Sequence, residues 1–140
     1  MNGLALIGLN QVYQKINQFA EQKKAHVVMM LSYPGEVFVN SARNTRTYRD
    51  HTRNLRGSIA YAIVFNGDIQ KKNLSGTAEG TEKAMELIGE VKSNEKEVAE
   101  LIGVAGMEYA TCVESRGYDV ITGSIPVANK ELKKIKEALT

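Results

Sequence analysis

The chain has 140 residues, a length typical of one domain that buries a core without disulfides or metal ions. Hydrophobic residues make up 43% of it and charged residues 24%, which excludes an intrinsically disordered chain, and a net charge of +2 excludes partner selection by bulk charge. The one cysteine, Cys112, excludes an internal disulfide, which favours a reducing compartment. Its apolar neighbours favour inert packing of the thiol.

The N-terminal third is predicted to be mostly helical. Residues 4–9 read as a short strand or an arm without the basic start of a signal peptide, and no stretch of the chain reaches the roughly 18 apolar residues of a membrane span. Residues 10–32 are predicted to form a long helix. Its apolar face comprises Val12, Ile16, Phe19, Ala20, Val27, Met30 and Leu31. Because a residue before proline disfavours helix, we expect this helix to end near Tyr33 and Pro34 to open a second short helix over 36–43.

A β-hairpin is predicted in the middle of the chain. Residues 58–65 alternate large with small apolar side chains, so we expect a central strand that is covered on both faces. The large residues Ile59, Tyr61, Ile63 and Phe65 share one face, and Ala60, Ala62 and Val64 share the other. Asn66-Gly67 is a strong signal for a type I′ turn, because both central residues of that turn need positive φ. Residues 69–74 then return as an edge strand, whose lysines discourage further pairing.

The second half is predicted to contain a helix over 81–93, a second core strand over 98–107 and a C-terminal helix. We expect a helical turn over 109–114, followed by a bend at Gly117. The C-terminal helix has an apolar stripe of Ala128, Leu132, Ile135 and Leu139, with Lys130, Lys133, Lys134 and Lys136 outside it and Ser124 as a candidate cap. These elements predict an α+β fold in a single domain of residues 1–140.

The residues that carry chemistry are few and scattered. Of the two histidines, His26 lies beside an apolar helical face and His51 stands next to Asp50 in a polar loop. A catalytic base beside an orienting carboxylate would look like this, so a small hydrolase or nuclease built on Asp50, His51 and Asp119 is one alternative. The motifs HExxH, CxxC and GxSxG are absent, and the glycines of 76–80 lack the Lys-Ser/Thr pair of a P-loop. We therefore expect a protein that is not an enzyme and holds no metal or cofactor.

Residues 43–56 form an arginine-rich polar segment. Its arginines recur every three or four residues, as Arg43, Arg46, Arg49, Arg53 and Arg56. Asp50 is the only acidic residue within this segment. Arginine is favoured over lysine for bidentate contacts to carboxylate or phosphate, so the functional interpretation is a docking loop for acidic groups of a neighbouring subunit or for a DNA backbone. The alternative is a solvated basic loop that has no binding role. Complementary charge suggests Glu114 as a partner of one of these arginines.

Five short segments, spread over most of the chain, together form a sequence pattern. They are LIGL at 6–9, VNSAR at 39–43, YRDHTRNLRGSI at 48–59, VAGMEYATCVE at 104–114 and GYDV at 117–120. This set resembles the phage head–tail joining (tail-completion, neck) proteins, whose segments read AR…Y.D.TGNLR.SI and AGM.YA..VE. Arg53 departs from the family's pattern, which usually has glycine there, and adds a charge to the loop.

The resemblance implies a structural virion subunit, assembled in the bacterial host cytoplasm, that forms a homo-oligomeric ring at the head–tail junction. Its partners would be the neighbouring portal or connector and tail proteins, without a membrane and with non-specific contact to packaged DNA. The implied fold is α+β, with a long N-terminal helix and a C-terminal helix packed on a small, mainly antiparallel β-sheet. The family-motif residues expected to be structural are Tyr48, Asn54, Leu55, Tyr109, Ala110, Val113 and Asp119.

Two interpretations of the arginine-rich segment remain open. In a ring, each subunit needs two different complementary patches. The segment 43–56 is a candidate for one patch, and the lysine-rich C-terminal helix or the edge strand 69–74 for the other. The alternative is a small nucleic-acid-binding module that uses 43–56, which predicts salt-dependent DNA binding by the isolated monomer.

Overall fold

The computed structural model describes residues 15–17, 24–44, 54–74, 76–92, 94, 98–107 and 110–139. The fold is α+β, as the sequence predicts. The strands are β1 (Lys15–Asn17), β2 (Ile59–Phe65), β3 (Asp68–Asn73) and β4 (Val98–Ala105). The helices are α1 (Lys24–Arg43), α2 (Asn54–Gly57), α3 (Ala78–Val91), α4 (Ala110–Ser115) and α5 (Ile125–Leu139), with a 3-10 turn over Thr122–Ser124.

The strands form one antiparallel sheet in the order β1-β4-β2-β3. β2 is central and buried along its whole length, as predicted. The predicted turn between β2 and β3 is confirmed, because Asn66 has φ 56° and Gly67 has φ 83°, both in the left-handed region that a type I′ turn requires. β3 is an edge strand of this sheet with mostly exposed side chains, also as predicted.

The two faces of β2 belong to two different cores. The large residues Ile59, Tyr61, Ile63 and Phe65 pack with α1 and α5. The smaller residues Ala60, Ala62 and Val64 pack with α3 on the other face. The alternation of large and small side chains therefore sorts the helices into two layers, with the sheet between them.

The predicted helix over 10–32 is wrong at its start. Residues Lys15–Asn17 form a strand, which pairs antiparallel with β4 through Ile16 opposite Ala99. The reason is that the outer edge of β4 offers backbone partners, and three residues of an apolar-polar pattern fit a strand as well as a helix. The predicted strand or arm at 4–9 lies outside the described residues.

The predicted break at Pro34 is also wrong, because α1 runs without interruption from Lys24 to Arg43. Proline inside a helix cannot donate to the carbonyl four residues earlier and costs about 3 kcal/mol. Both halves of α1 pack on the sheet, with Leu31 before the proline and Phe38 after it almost fully buried. Burial on both sides of Pro34 outweighs the local preference for a break.

The remaining predicted elements are confirmed with shifted ends. α3 begins at Ala78, with Thr77 as its N-cap, and β4 ends at Ala105. The helical turn is α4, and Gly117 bends the chain with φ 91°. α5 follows, and it packs beside α1 in the same core. No helix within the described ranges combines the length and the apolar character of a membrane span.

Candidate functional site: the joint at the start of the central strand

Three of the segments quoted above for the family resemblance meet where β2 begins, through Arg43, Ser58 and Gly106. The hydroxyl of Ser58, which is fully buried, donates to the Leu55 carbonyl at 2.8 Å and accepts from the Met107 amide at 3.2 Å. The Gly106 amide donates to the Ser58 carbonyl at 3.1 Å. Ser58 therefore ties the segment 54–59 to the end of β4, although the two are far apart in the sequence. We call this arrangement the β2 joint.

Arg43 reaches the same joint from the end of α1. Its Nη2 donates to the Ile59 carbonyl at 2.8 Å and to Asn73 Oδ1 at 3.3 Å. Burial lowers the pKa of the Arg43 guanidinium below its usual value, and the negative charge of Glu36 opposes this shift. Arg43 was predicted to belong to a docking loop, and the structure places it at the end of α1 with its guanidinium bonded inside the subunit, where it holds α1 on the β-hairpin.

Three glycines let backbones meet at the joint. A Cβ at Gly80 would lie 2.5 Å from the Gly57 carbonyl carbon, and a Cβ at Gly76 would lie 2.1 Å from the Gly57 oxygen. The start of α3 therefore packs directly on the end of α2, and the side chain of Asn54 adds a hydrogen bond to Glu79 Oε2 at 2.7 Å. The glycines of 76–80, which lack the residues of a P-loop, serve close packing.

Glu114 closes the turn that leads into α5. Its Oε1 accepts from the amides of Val120 at 3.0 Å, Ile121 at 2.8 Å and Thr122 at 3.1 Å, and its Oε2 bonds to the Thr122 hydroxyl. These amides precede the helical segment and have no partner within it, so a carboxylate there acts as a helix cap. Glu114 was predicted to pair with an arginine of the loop. The structure shows it bonded to the backbone of its own segment.

The other predicted residues of this region are also engaged within the subunit. Asp119 Oδ1 accepts from the Gly123 amide at 2.8 Å, and Ala110 is fully buried. The hydroxyl of Ser124 pairs with the Ser41 hydroxyl at 2.8 Å and thereby joins α5 to α1 instead of capping α5. Leu55 is buried in the main core, as expected of a structural motif residue.

Much of the predicted arginine loop lies outside the described residues. This holds for Arg46, Tyr48, Arg49, Asp50, His51 and Arg53, and for Tyr109. Val113 lies in α4, and Arg56 is a half-buried residue of α2. The loop interface therefore stays a prediction for residues 45–53. Asp119, the third residue of the hydrolase alternative, accepts a hydrogen bond from the Gly123 amide.

A polar network between α1 and the hairpin was missed by sequence reasoning. Asn73 donates to Glu36 Oε2 at 2.8 Å, and Lys71 donates to the Ser32 hydroxyl at 3.0 Å. Tyr61 lies fully buried beside them, and its burial, with the negative charge of Glu36, raises the pKa of its phenol to about 12. A possible signal was the helical spacing of Ser32 and Glu36, which places both on one side of α1.

Among the described residues, the acidic side chains of this site bond within the chain and form no metal-binding group. No group of three or more histidine, cysteine, aspartate or glutamate residues within the described ranges is arranged to hold a metal ion. The carboxylates of Glu36, Glu114 and Asp119 each accept hydrogen bonds from neighbouring groups of the same chain. What this arrangement does physically is to fix backbone segments and helices relative to the sheet.

Comparison with known protein families, with curated proteins and with solved structures found no match.

Proposed function

We propose that the chain is a structural subunit of a tailed phage or prophage, which forms a ring at the junction of head and tail. The observation that carries the proposal is that three of the resembling segments meet at the β2 joint. Arg43 and Gly106, from two of those segments, donate to the carbonyls of Ile59 and Ser58 in the third. A motif whose residues meet in this way reads as the framework of a shared fold.

The chemistry of these contacts also supports a structural role. Arg43 and Glu114 are the kinds of side chain that bind substrates, yet their hydrogen bonds go mainly to backbone groups of the same chain. Both residues are half-buried, and their hydrogen bonds to the backbone fix segments of the chain relative to one another. A rigid subunit suits an assembly in which each copy must present the same surfaces to its neighbours.

The proposed partners are further copies of the chain and the neighbouring portal or connector and tail proteins of the same phage. The test is to produce the chain together with those proteins and to examine the complexes by light scattering and negative-stain imaging. We expect closed rings, or a density that lies between portal and tail. Labelling the chain in assembled virions should place it in the neck.

The contrary result is also well defined. A chain that stays monomeric, ignores the portal and tail proteins and binds DNA in a salt-dependent manner would contradict the proposal and favour a nucleic-acid-binding module. The Arg43→Lys variant tests the structural part of the proposal, because Arg43 holds α1 to β2 and its replacement should lower the free energy of unfolding.

A further inference from the structure

The exposed face of α3 carries a line of glutamates. Glu79, Glu82, Glu86 and Glu90 are all exposed, and their spacing of three, four and four residues places them along one side of the helix. Lys83 interrupts the negative charge, with its Nζ 3.8 Å from Glu86 Oε2. We call the four glutamates the acidic stripe.

The exposed face of α5 carries the opposite charge. Lys130, Lys133 and Lys134 are exposed, and the side chain of Lys134 is 63% accessible to solvent. Glu131 lies 3.5 Å from Lys134 Nζ and is more buried. We call the three lysines the basic stripe.

The stability of its own helix explains Glu79, which lies in the first turn of α3 and accepts from Asn54, but it does not explain the like-charged pairs of either stripe. Like charges four residues apart repel each other, which applies to Glu82 and Glu86, to Glu86 and Glu90, and to Lys130 and Lys134. Glu90 also stands in the last turn of α3, where the helix dipole disfavours a carboxylate. The helices retain these charges at a small cost in free energy, which is consistent with a use outside the subunit.

The two stripes cannot neutralise each other within one subunit. α3 packs on the face of the sheet formed by the small residues of β2, whereas α5 packs with α1 on the other face. A contact between surfaces on different sides of a molecule is heterologous, and repeated heterologous contacts close into rings when the rotation between copies allows it.

We propose that the acidic stripe of one subunit docks on the basic stripe of the next copy of the same chain. This inference rests on the proposed function and names the two patches that the ring uses. The partner is a second copy because complementary charges of both signs stand on one chain. Exposed ion pairs are individually weak and screened by salt, so free subunits associate weakly and lose that association at high salt.

The test uses the full chain in two charge-reversed forms. Glu82→Lys/Glu86→Lys makes both stripes basic, and Lys130→Glu/Lys134→Glu makes both acidic. Sedimentation velocity at low salt should show self-association about tenfold or more weaker in each variant than in the unaltered chain, because attractive pairs become repulsive. Mixing the two variants should restore association, since each basic stripe then meets an acidic one.

The control is Lys72→Glu/Arg116→Glu, which changes the net charge as much as the second variant at exposed positions outside both stripes. It should associate like the unaltered chain, and circular dichroism should show all variants folded. The inference is overturned if the unaltered chain does not associate at low salt, if the reversed variants still associate alone, or if the folded mixture does not recover.

Failure of this inference is distinguishable from failure of the proposed function. If rings or portal complexes form regardless of both charge reversals, the stripes are not the contact between subunits, and the neck assignment is unaffected. If the chain associates through the stripes but is absent from virions, the docking of the stripes is supported and the neck assignment is contradicted.

Discussion

The two faces of β2 are both fully buried, yet they are packed in different ways. On the face toward α1, aromatic rings fill notches left by glycine: a Cβ at Gly35 would lie 2.6 Å from the Tyr61 ring, and one at Gly103 would lie 2.8 Å from the Phe38 ring. On the face toward α3, backbone meets backbone, since a Cβ at Gly106 would lie 2.5 Å from the Ala84 nitrogen. The large side chains of β2 pack with α1 in what we call the thick layer, and its small side chains pack with α3 in what we call the thin layer.

This comparison predicts that the thick layer fails by losing volume. Phe65 is 1% exposed in the core toward α1, so Phe65→Ala should lower the free energy of unfolding by about 3–5 kcal/mol through lost burial and a residual cavity. Chemical denaturation measures this. Tyr33, which is 60% exposed on α1, supplies the control, and Tyr33→Ala should change stability by no more than about 0.5 kcal/mol. Equal effects of the two variants would contradict the assignment of Phe65 to the core.

The thick layer should also respond to alkaline pH through Tyr61. The pKa of Tyr61 is raised in the folded protein from 10.0 to about 12, so the folded state holds this proton more tightly than the unfolded state. The resulting stability is fully present below pH 10 and is lost as the pH rises from 10 to 12. A shift of this size corresponds to about 2–3 kcal/mol at most.

The measurement compares unfolding of the unaltered chain with that of Tyr61→Phe between neutral pH and pH 12. The variant should lack the part of the alkaline destabilisation that belongs to Tyr61. Tyr118→Phe is the matched control, because Tyr118 is 47% exposed and its replacement should leave the alkaline profile unchanged. Identical profiles for the Tyr61 variant and the unaltered chain would show that Tyr61 ionises without a folding penalty.

The thin layer should fail in the opposite sense, by gaining volume. Ala62 is fully buried against α3, so Ala62→Leu should cost about 1–3 kcal/mol because the added atoms displace the helix. Ala78→Leu, at an exposed position of α3, is the control and should be close to neutral. A stabilised Ala62 variant would mean that a cavity, and not a close contact, lies at this position.

The smallest effect is expected at the edge of the thin layer, where α3 begins. The Thr77 hydroxyl accepts from the Gly80 amide at 3.0 Å, and Thr77→Ala should cost about 1 kcal/mol by removing this cap. Hydrogen exchange should quicken in the first turn of α3 and not in α1. Thr77→Ser keeps the hydroxyl and should retain most of the stability, and an equal loss in both variants would point to the methyl group instead.

At the candidate site, the sequence indicates which residues matter, but it does not indicate which distant groups they contact. Arg43 and Glu114 stand out in the sequence by charge, but the sequence does not identify the backbone groups to which they bond. A charge in a sequence does not reveal whether it faces solvent, because that depends on which backbone groups lie beside it in the fold. Ser58 lies in a segment of the resemblance, but no local pattern indicates its partner, the Met107 amide.

The sequence by itself determined the features that depend on neighbours along the chain. These are the alternation of β2, the Asn-Gly turn and the amphipathic helices α3 and α5, since side-chain periodicity and backbone φ preferences act over a few residues. Only the tertiary structure decided that 15–17 is a strand and that α1 continues through Pro34. In both places an energy from distant segments, pairing with β4 or burial on the sheet, exceeds the local preference.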